Sequence, residues 1–382
     1  MSSGKPATSR DSEECSVMPG MGRAKHAIDR ILIIRLSAVG DIVRTLPAVH
    51  ALRERYPGAY ISWVVEEKAR DILVYQPEID EVIVFQRKRW GKGILNPLTF
   101  VGTIREVYQF IKNLRDKRHD VALDFHGILK SGLISYLSGA RERVGYERGF
   151  CKEWNHLFNN RRVSPRSKRI SRFERNFALI GLMGVEGVRG GMRLHVSRED
   201  IDYIDTFLGK RDQVVSGPLI AIHPGTSPTT PYKRWPPERY GELADRLVEE
   251  LGASVLFTWG PGEKRVVDEV RARMRRNSLV GPEAASLRQL AELFRRCSLY
   301  IGGDTGPMHI ASLVETPVVG IFGPTDPIVN APYEGTPHIV VRKDVPCSPC
   351  RNTGCKHREC MKAVTTQDVF DAAKALLEGN VL

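Results

Sequence analysis

The chain has 382 residues, 42% hydrophobic and 27% charged, close to an ordinary globular composition and unlike a collagen-like, disordered or disulfide-scaffold chain. No apolar run approaches the ~18–20 residues of a bilayer-spanning helix, and residues 1–29 contain no signal-peptide core. The 57 Lys and Arg outnumber the 45 Asp and Glu for a net charge of +12, which favours anionic partners such as phosphorylated substrates, nucleic acid or an anionic membrane surface, or simply solubilises the chain.

Residues 31–36 (ILIIRL) predict a first strand. Ser37-Ala38-Val39-Gly40-Asp41 follows, then a helical pattern to about Tyr56 that Pro57-Gly58 closes. Further strands are predicted at 60–65, 81–85 and 121–125, the last after a long amphipathic stretch over 100–117. Strands alternating with helices and buried on both faces are the pattern of a parallel sheet. Between 151 and 218 the rhythm is lost, with one predicted helix over 172–183 and a Gly-rich turn at 184–187. Basic residues concentrate here: 141–175 holds eleven Lys and Arg against four Glu. Alternation resumes with strands at 219–223, 254–258, 298–301 and 317–322. Helices are predicted at 237–251, 263–274, 287–296 and 307–313, and a last one over 366–377 is capped by Thr365-Thr366. The expected organisation is a disordered extension (1–29), an N-terminal Rossmann-like domain (30–185), a linker (186–217), a second such domain (218–364) and a C-terminal helix (365–382). This is an α/β fold of two doubly wound domains facing a cleft.

Four strand-end segments could carry chemistry, because ligands of open α/β sheets sit at the carboxyl ends of the strands. Gly40 lets backbone approach a ligand, and Asp41 could cap the helix or act on a substrate proton. His223-Pro224-Gly225-Thr226-Ser227, running on to Lys233-Arg234-Trp235-Pro236, offers donors and charge for a phosphate, or is a surface turn with Trp235 packed on the sheet. Gly302-Gly303-Asp304-Thr305-Gly306-Pro307-Met308-His309 joins a strand to a helix whose N-terminus can seat a diphosphate. Gly320 to Pro327 is a rigid turn whose Thr325 and Asp326 could line the same cleft. Cys347, Cys350, Cys355 and Cys360 are spaced C-x2-C-x4-C-x4-C with His357 among them. They could hold a structural zinc, form a redox-labile pair or remain free thiols. Cys15, Cys151 and Cys297 are scattered, against a disulfide framework. Neither the dinucleotide GxGxxG nor the Walker motif occurs, which weighs against an NAD-dependent oxidoreductase. The basic residues lack interleaved aromatics, and no nucleic acid is expected as a partner.

Taken together, ILIIRLSAVGDIVRTLPAVHALRERYP, HPGTSPTTPYKRWP and IGGDTGPMHIASLVETPVVGIFGPTDP resemble glycosyltransferase family 9, the bacterial heptosyltransferases. The segments LSAVGDIV, VVEEKA and HGILKSG are most like the heptosyltransferase I group, and the likeness covers roughly 31–377. It implies a GT-B architecture and metal-free, inverting transfer of heptose from ADP-heptose to the Kdo-containing inner core of lipopolysaccharide, with no cofactor required. A different sugar donor or acceptor in cell-envelope glycan synthesis is the alternative. The resemblance makes Asp41 the general base and Lys233 the donor-phosphate cation. Asp304, Thr305, Gly306 and His309 become the diphosphate loop, and Glu263 the ribose carboxylate. Thr226 (or Thr229 or Thr230) becomes a phosphate contact, and Lys130, with Gly40, marks the acceptor side. The Kdo-lipid A acceptor implies a cytoplasmic protein peripheral to the inner leaflet of the inner membrane. Arg161, Arg162, Arg166 and Lys168 are the basic residues expected to meet its phosphates.

Overall fold

The computed structural model describes residues 28–185, 194–210, 217–282, 286–350 and 352–379. The extension over 1–27 with Cys15, and 186–193 and 211–216 of the expected linker, lie outside them. Two six-stranded sheets organise the chain. The first contains β1 (Arg30–Ile34), β2 (Tyr60–Glu66), β3 (Glu81–Phe85), β4 (Val121–Asp124), β5 (Glu142–Tyr146) and β6 (Arg161–Val163), in the order β3-β2-β1-β4-β5-β6. The second contains β7 (Leu219–His223), β8 (Ser254–Phe257), β9 (Leu279–Val280), β10 (Leu299–Gly303), β11 (Val318–Ile321) and β12 (His338–Val341), in the order β12-β11-β10-β7-β8-β9. Every pairing is parallel. Numbered within its own domain, the second sheet repeats the order of the first. Each reverses direction beside its first strand, the switch point where doubly wound sheets place ligands.

The central strands are apolar because helices cover both faces of a parallel sheet. Ile31, Leu32, Ile33 and Ile34 are fully buried, as are Ile220, Ala221 and Ile222 in β7. Several elements escape the sequence pattern. β6 falls inside the arginine-rich stretch: an edge strand of three residues, Arg161-Arg162-Val163, carries one apolar side chain and so shows no alternation. Helix Arg172–Gly181 packs on helix Leu46–Arg55 of the first domain, whereas helix Arg198–Gly209 packs on helix Leu287–Arg295 of the second. Helix Thr366–Leu377 lies against helix Pro237–Leu251 and β12. None of the described helices is long and apolar enough to cross a membrane.

Candidate active site

β1 delivers its chain end to the cleft, and the short helix Val39–Val43 begins there with Asp41 in its first turn. Asp41 is gripped by two guanidiniums: Arg35 reaches Oδ2 at 2.7 Å and Arg44 reaches Oδ1 at 2.7 Å. Its side chain keeps 26% exposure while those arginines keep 9% and 8%. Burial opposes the charge, but Arg35, Arg44 and Arg172 outweigh it and hold the carboxyl well below the usual carboxylate range. Arg35 is itself fixed by donating to the Phe125 carbonyl. His126 stands beside it, its Nδ1 accepting from Leu36 N–H at 3.1 Å.

Across the cleft, β10 ends in the loop before helix Gly306–Leu313. Lys233 Nζ lies 2.9 Å from Asp304 Oδ2, and His309 Nε2 lies 3.5 Å from Asp304 Oδ1. Separate donor contacts by sequence, Lys233 and Asp304 form an ion pair in the structure, with Asp304 buried and Lys233 half-buried. Burial opposes the Asp304 charge, yet His309 and Lys233 hold its carboxyl below the ordinary range. Burial and the charge on Arg44 push His309 down to about 4, so its imidazole is neutral at physiological pH. Both His309 ring nitrogens and the Thr305 hydroxyl are buried without a hydrogen-bond partner. Thr305 caps the helix by position while its side chain makes no cap bond. Donors and a helix N-terminus worth roughly half a positive charge in one loop, with a lysine from the loop after β7 beside them, suit a diphosphate.

Gly40 brings the two sides together. A Cβ on Gly40 would lie 3.0 Å from His309 Cδ2 and 3.4 Å from Gly306 Cα, so only glycine allows this approach. Its evident task is thus contact between the domains. Arg44 donates to Asn330 Oδ1 at 3.1 Å, and Arg169 pairs with Asp326 at 2.8 Å. Asp326 also caps its own helix by accepting from Ile328 N–H at 3.0 Å, which orients it for the Arg169 pair that spans the domains.

The loop after β7 is organised from within. The Thr226 hydroxyl donates to the Thr230 carbonyl at 3.1 Å and accepts from Arg234 Nε at 2.9 Å. With 2% of its surface exposed, Thr226 holds the loop in shape through its hydroxyl. Trp235 is buried and donates to the Val364 carbonyl at 2.9 Å. Glu263 accepts from Gly260 N–H at 2.8 Å and faces His223 Nε2 at 3.2 Å, while His223 Nδ1 meets Thr258 Oγ1 at 3.0 Å. A Cβ at Gly225 would overlap Glu263 Oε2. Gly225→Ala is therefore expected to displace Glu263, costing about 1–3 kcal/mol and weakening ADP binding. Thermal unfolding and ADP titration read both effects.

Lys130 stands apart from these groups. It begins helix Leu129–Leu137 at the carboxyl edge of the first sheet, with Nζ 6.0 Å from the Phe85 ring centre. Burial and the charge on Arg87 lower its ammonium pKa. Among the described residues no group of three or more His, Cys, Asp or Glu is placed to hold a metal ion, yet the four thiols are neighbours: burial, then Cys347, Cys350 and Cys355, raise the Cys360 thiol pKa. Cys360 is buried near Gly323, whereas Cys347 is exposed. The residues that sequence reasoning passes over are the arginines. Arg44, one turn after Asp41, and Arg35, a charge inside an apolar strand run, carried a signal; Arg172 carried none.

Acid should loosen this fold in a definite window. His119, His126 and His309 are pushed to about 4, about 3 and about 4 by burial and by Arg30, Arg35 and Arg44 respectively, from an ordinary 6.5. Below that ordinary value the unfolded chain binds protons that the folded chain refuses, so stability falls with falling pH until the folded sites also titrate. The lowered Asp41 and Asp304 withdraw their stability only below their ordinary 3.8. The unfolding temperature is expected to decline from about pH 6.5 to pH 4.5, less steeply in His309→Gln; an equal slope in that variant would remove His309 from the account.

Two doubly wound domains whose carboxyl edges meet, with a carboxylate on one side and a helix N-terminus on the other, have the GT-B architecture. Residues 107–361 match glycosyltransferase family 9 (heptosyltransferase), and the chain belongs to that family. Lipopolysaccharide heptosyltransferase 1 of Pseudomonas aeruginosa is 28% identical over 342 residues, covering 86% of this chain and 88% of that protein. The core heptosyltransferase OpsX of Haemophilus influenzae is 26% identical over 313 residues, covering 81% and 83%. Among solved structures, the family 9 glycosyltransferase of Veillonella parvula superposes with a TM-score of 0.76 at 23% identity, covering 92% of this chain and 98% of that one. Escherichia coli ADP-heptose heptosyltransferase II gives 0.70 at 24%, covering 92% and 99%.

Proposed function

We propose that this chain transfers heptose from ADP-heptose to the Kdo-containing inner core of lipopolysaccharide, inverting the anomeric centre, with Asp41 as general base. The observation that carries the reading is the meeting of the Gly40-Asp41 turn, on the first domain, with His309 and the Gly306 helix N-terminus on the second, where Gly40 abuts His309 and the Asp41 charge acts on His309, itself beside the Lys233–Asp304 pair. The relatives' names support ADP-heptose as donor and lipopolysaccharide as acceptor; the Kdo-containing inner core and the inversion are what the family resemblance implies. A sugar hydroxyl is a poor nucleophile, so a carboxylate must take its proton as the new C–O bond forms. Clamped by arginines, Asp41 has low proton affinity and accepts the proton late, once the hydroxyl oxygen is largely bonded and acidic. Departing ADP accumulates negative charge, which Lys233 and the N–H groups at Thr305 and Gly306 stabilise. Closure of the domains excludes water, the competing nucleophile. The acceptor places the protein at the cytoplasmic face of the inner membrane.

The test is ADP release from ADP-heptose with and without a Kdo-bearing lipid A acceptor. Acceptor-dependent release supports the reading. Donor binding without turnover moves the search to other acceptors, and no affinity for any ADP-sugar overturns the donor assignment.

A further inference from the structure

Helix Arg87–Leu95 and helix Phe100–Asp116 form a hairpin between β3 and β4. It is firmly anchored: the Trp90 ring meets Phe85 at 5.1 Å and Phe110 at 5.3 Å, and its Nε1 donates to Glu106 at 3.0 Å. Its tip is nonetheless bare. Leu98 is 94% exposed, Leu95 85% and Val101 78%, the three most exposed large hydrophobic residues among those described. Phe100, Ile104 and Tyr108 continue the exposed stripe at four-residue spacing, about 12 Å along the helix. One and two turns on, the surface becomes basic with Lys112 and Arg115.

Charge follows the same arrangement. Residues 87–118 hold nine Lys and Arg against two acidic residues, more than half of the net +12. Lys88, Lys92, Arg105 and Lys112 are exposed with no carboxylate partner among the described residues. In the 161–168 stretch, by contrast, the arginines face carboxylates at the surface: Arg161 pairs with Glu142, Arg162 with Glu147 and Arg166 with Glu174.

We infer that this hairpin docks the enzyme on an anionic lipid bilayer, the residues 95–101 entering the acyl boundary and the surrounding lysines and arginines meeting headgroup phosphates. Apolar side chains at a protruding tip with a cationic girdle behind them are what a lipid–water interface selects. The hairpin leaves β3 at the carboxyl edge that lines the cleft, and Lys130 sits at its base against Phe85. The inference rests on the proposed membrane-borne acceptor for its purpose, and its test needs neither donor nor acceptor.

Full-length protein is floated with vesicles of phosphatidylglycerol and phosphatidylethanolamine, and with neutral phosphatidylcholine vesicles. Wild type should float with the anionic vesicles in a salt-sensitive manner, and Leu98→Glu/Val101→Glu should lower partition about tenfold or more. Lys88→Glu/Lys92→Glu should lower it and flatten the salt dependence. Both variants should keep the wild-type unfolding temperature and turn over a soluble, deacylated acceptor normally. Wild type that stays off the vesicles, or variants that float equally well, overturn the proposal. So does a wild-type dimer in light scattering that Leu98→Glu/Val101→Glu dissolves, which would make the hairpin a self-interface. Loss of the transferase reading would leave flotation intact, and loss of the docking surface would leave soluble-acceptor turnover intact.

Discussion

Asp41→Ala should lower acceptor-dependent ADP release by about 10²–10⁴-fold, the usual worth of a positioned general base, while ADP-heptose still binds. The substitution also strips Arg35 and Arg44 of their shared carboxylate, and uncompensated buried charge is destabilising, so the unfolding temperature must be read beside the rate. Arg44→Ala separates the two effects. Removing one guanidinium relieves the depression of the Asp41 carboxyl, so the acid limb of kcat/KM should move to higher pH. Wild-type turnover in a folded Asp41→Ala protein would remove the base. An unmoved acid limb in Arg44→Ala would detach Asp41 from the pH profile.

Lys233→Ala is the second large expectation. It removes the cation beside the donor loop and leaves Asp304, itself 8% exposed, facing only His309 at 3.5 Å. Loss of a preorganised charge at the leaving group should lower kcat/KM by about 10²–10³-fold, with weaker ADP binding and a lower unfolding temperature. The double variant Lys233→Ala/Asp304→Ala removes the stranded carboxylate as well. It should recover stability without recovering turnover, because the pair's members are strongly coupled. Wild-type kinetics in Lys233→Ala would make the pair a purely structural device.

These expectations draw on two kinds of information with different origins. The strand ends were legible locally. ILIIRL followed by a Gly-Asp turn, LIAIH before the His223–Trp235 loop, and LYIGG before Asp304-Thr305-Gly306 each announce a buried strand feeding a ligand edge, and the structure places them as β1, β7 and β10. Such patterns survive in sequence because a strand covered on both faces must be apolar along its length, and a tight exit needs glycine. β6 and β9 left no comparable trace, for an edge strand of two or three residues needs few apolar side chains.

The chemistry of the site was legible only as a list of residue types. Asp41 stands out beside Gly40, but its state comes from Arg35, Arg44 and Arg172, the last of them far along the chain. Lys233 and Asp304, 71 positions apart, become one ion pair. Thr226, read from sequence as a phosphate contact, is bonded within its own loop by Arg234 through both its hydroxyl and its carbonyl. The four clustered cysteines are neighbours in space as in sequence, for Cys347, Cys350 and Cys355 all act on the Cys360 thiol.

By itself, then, the sequence determined two parallel α/β domains and the loops at their carboxyl edges, because hydrophobic period and turn chemistry are local properties. Only the tertiary structure decided which charges meet across the cleft, which arginines are already paired and which apolar helix face stays bare. Ion pairing and burial depend on distances between residues that the chain order keeps apart.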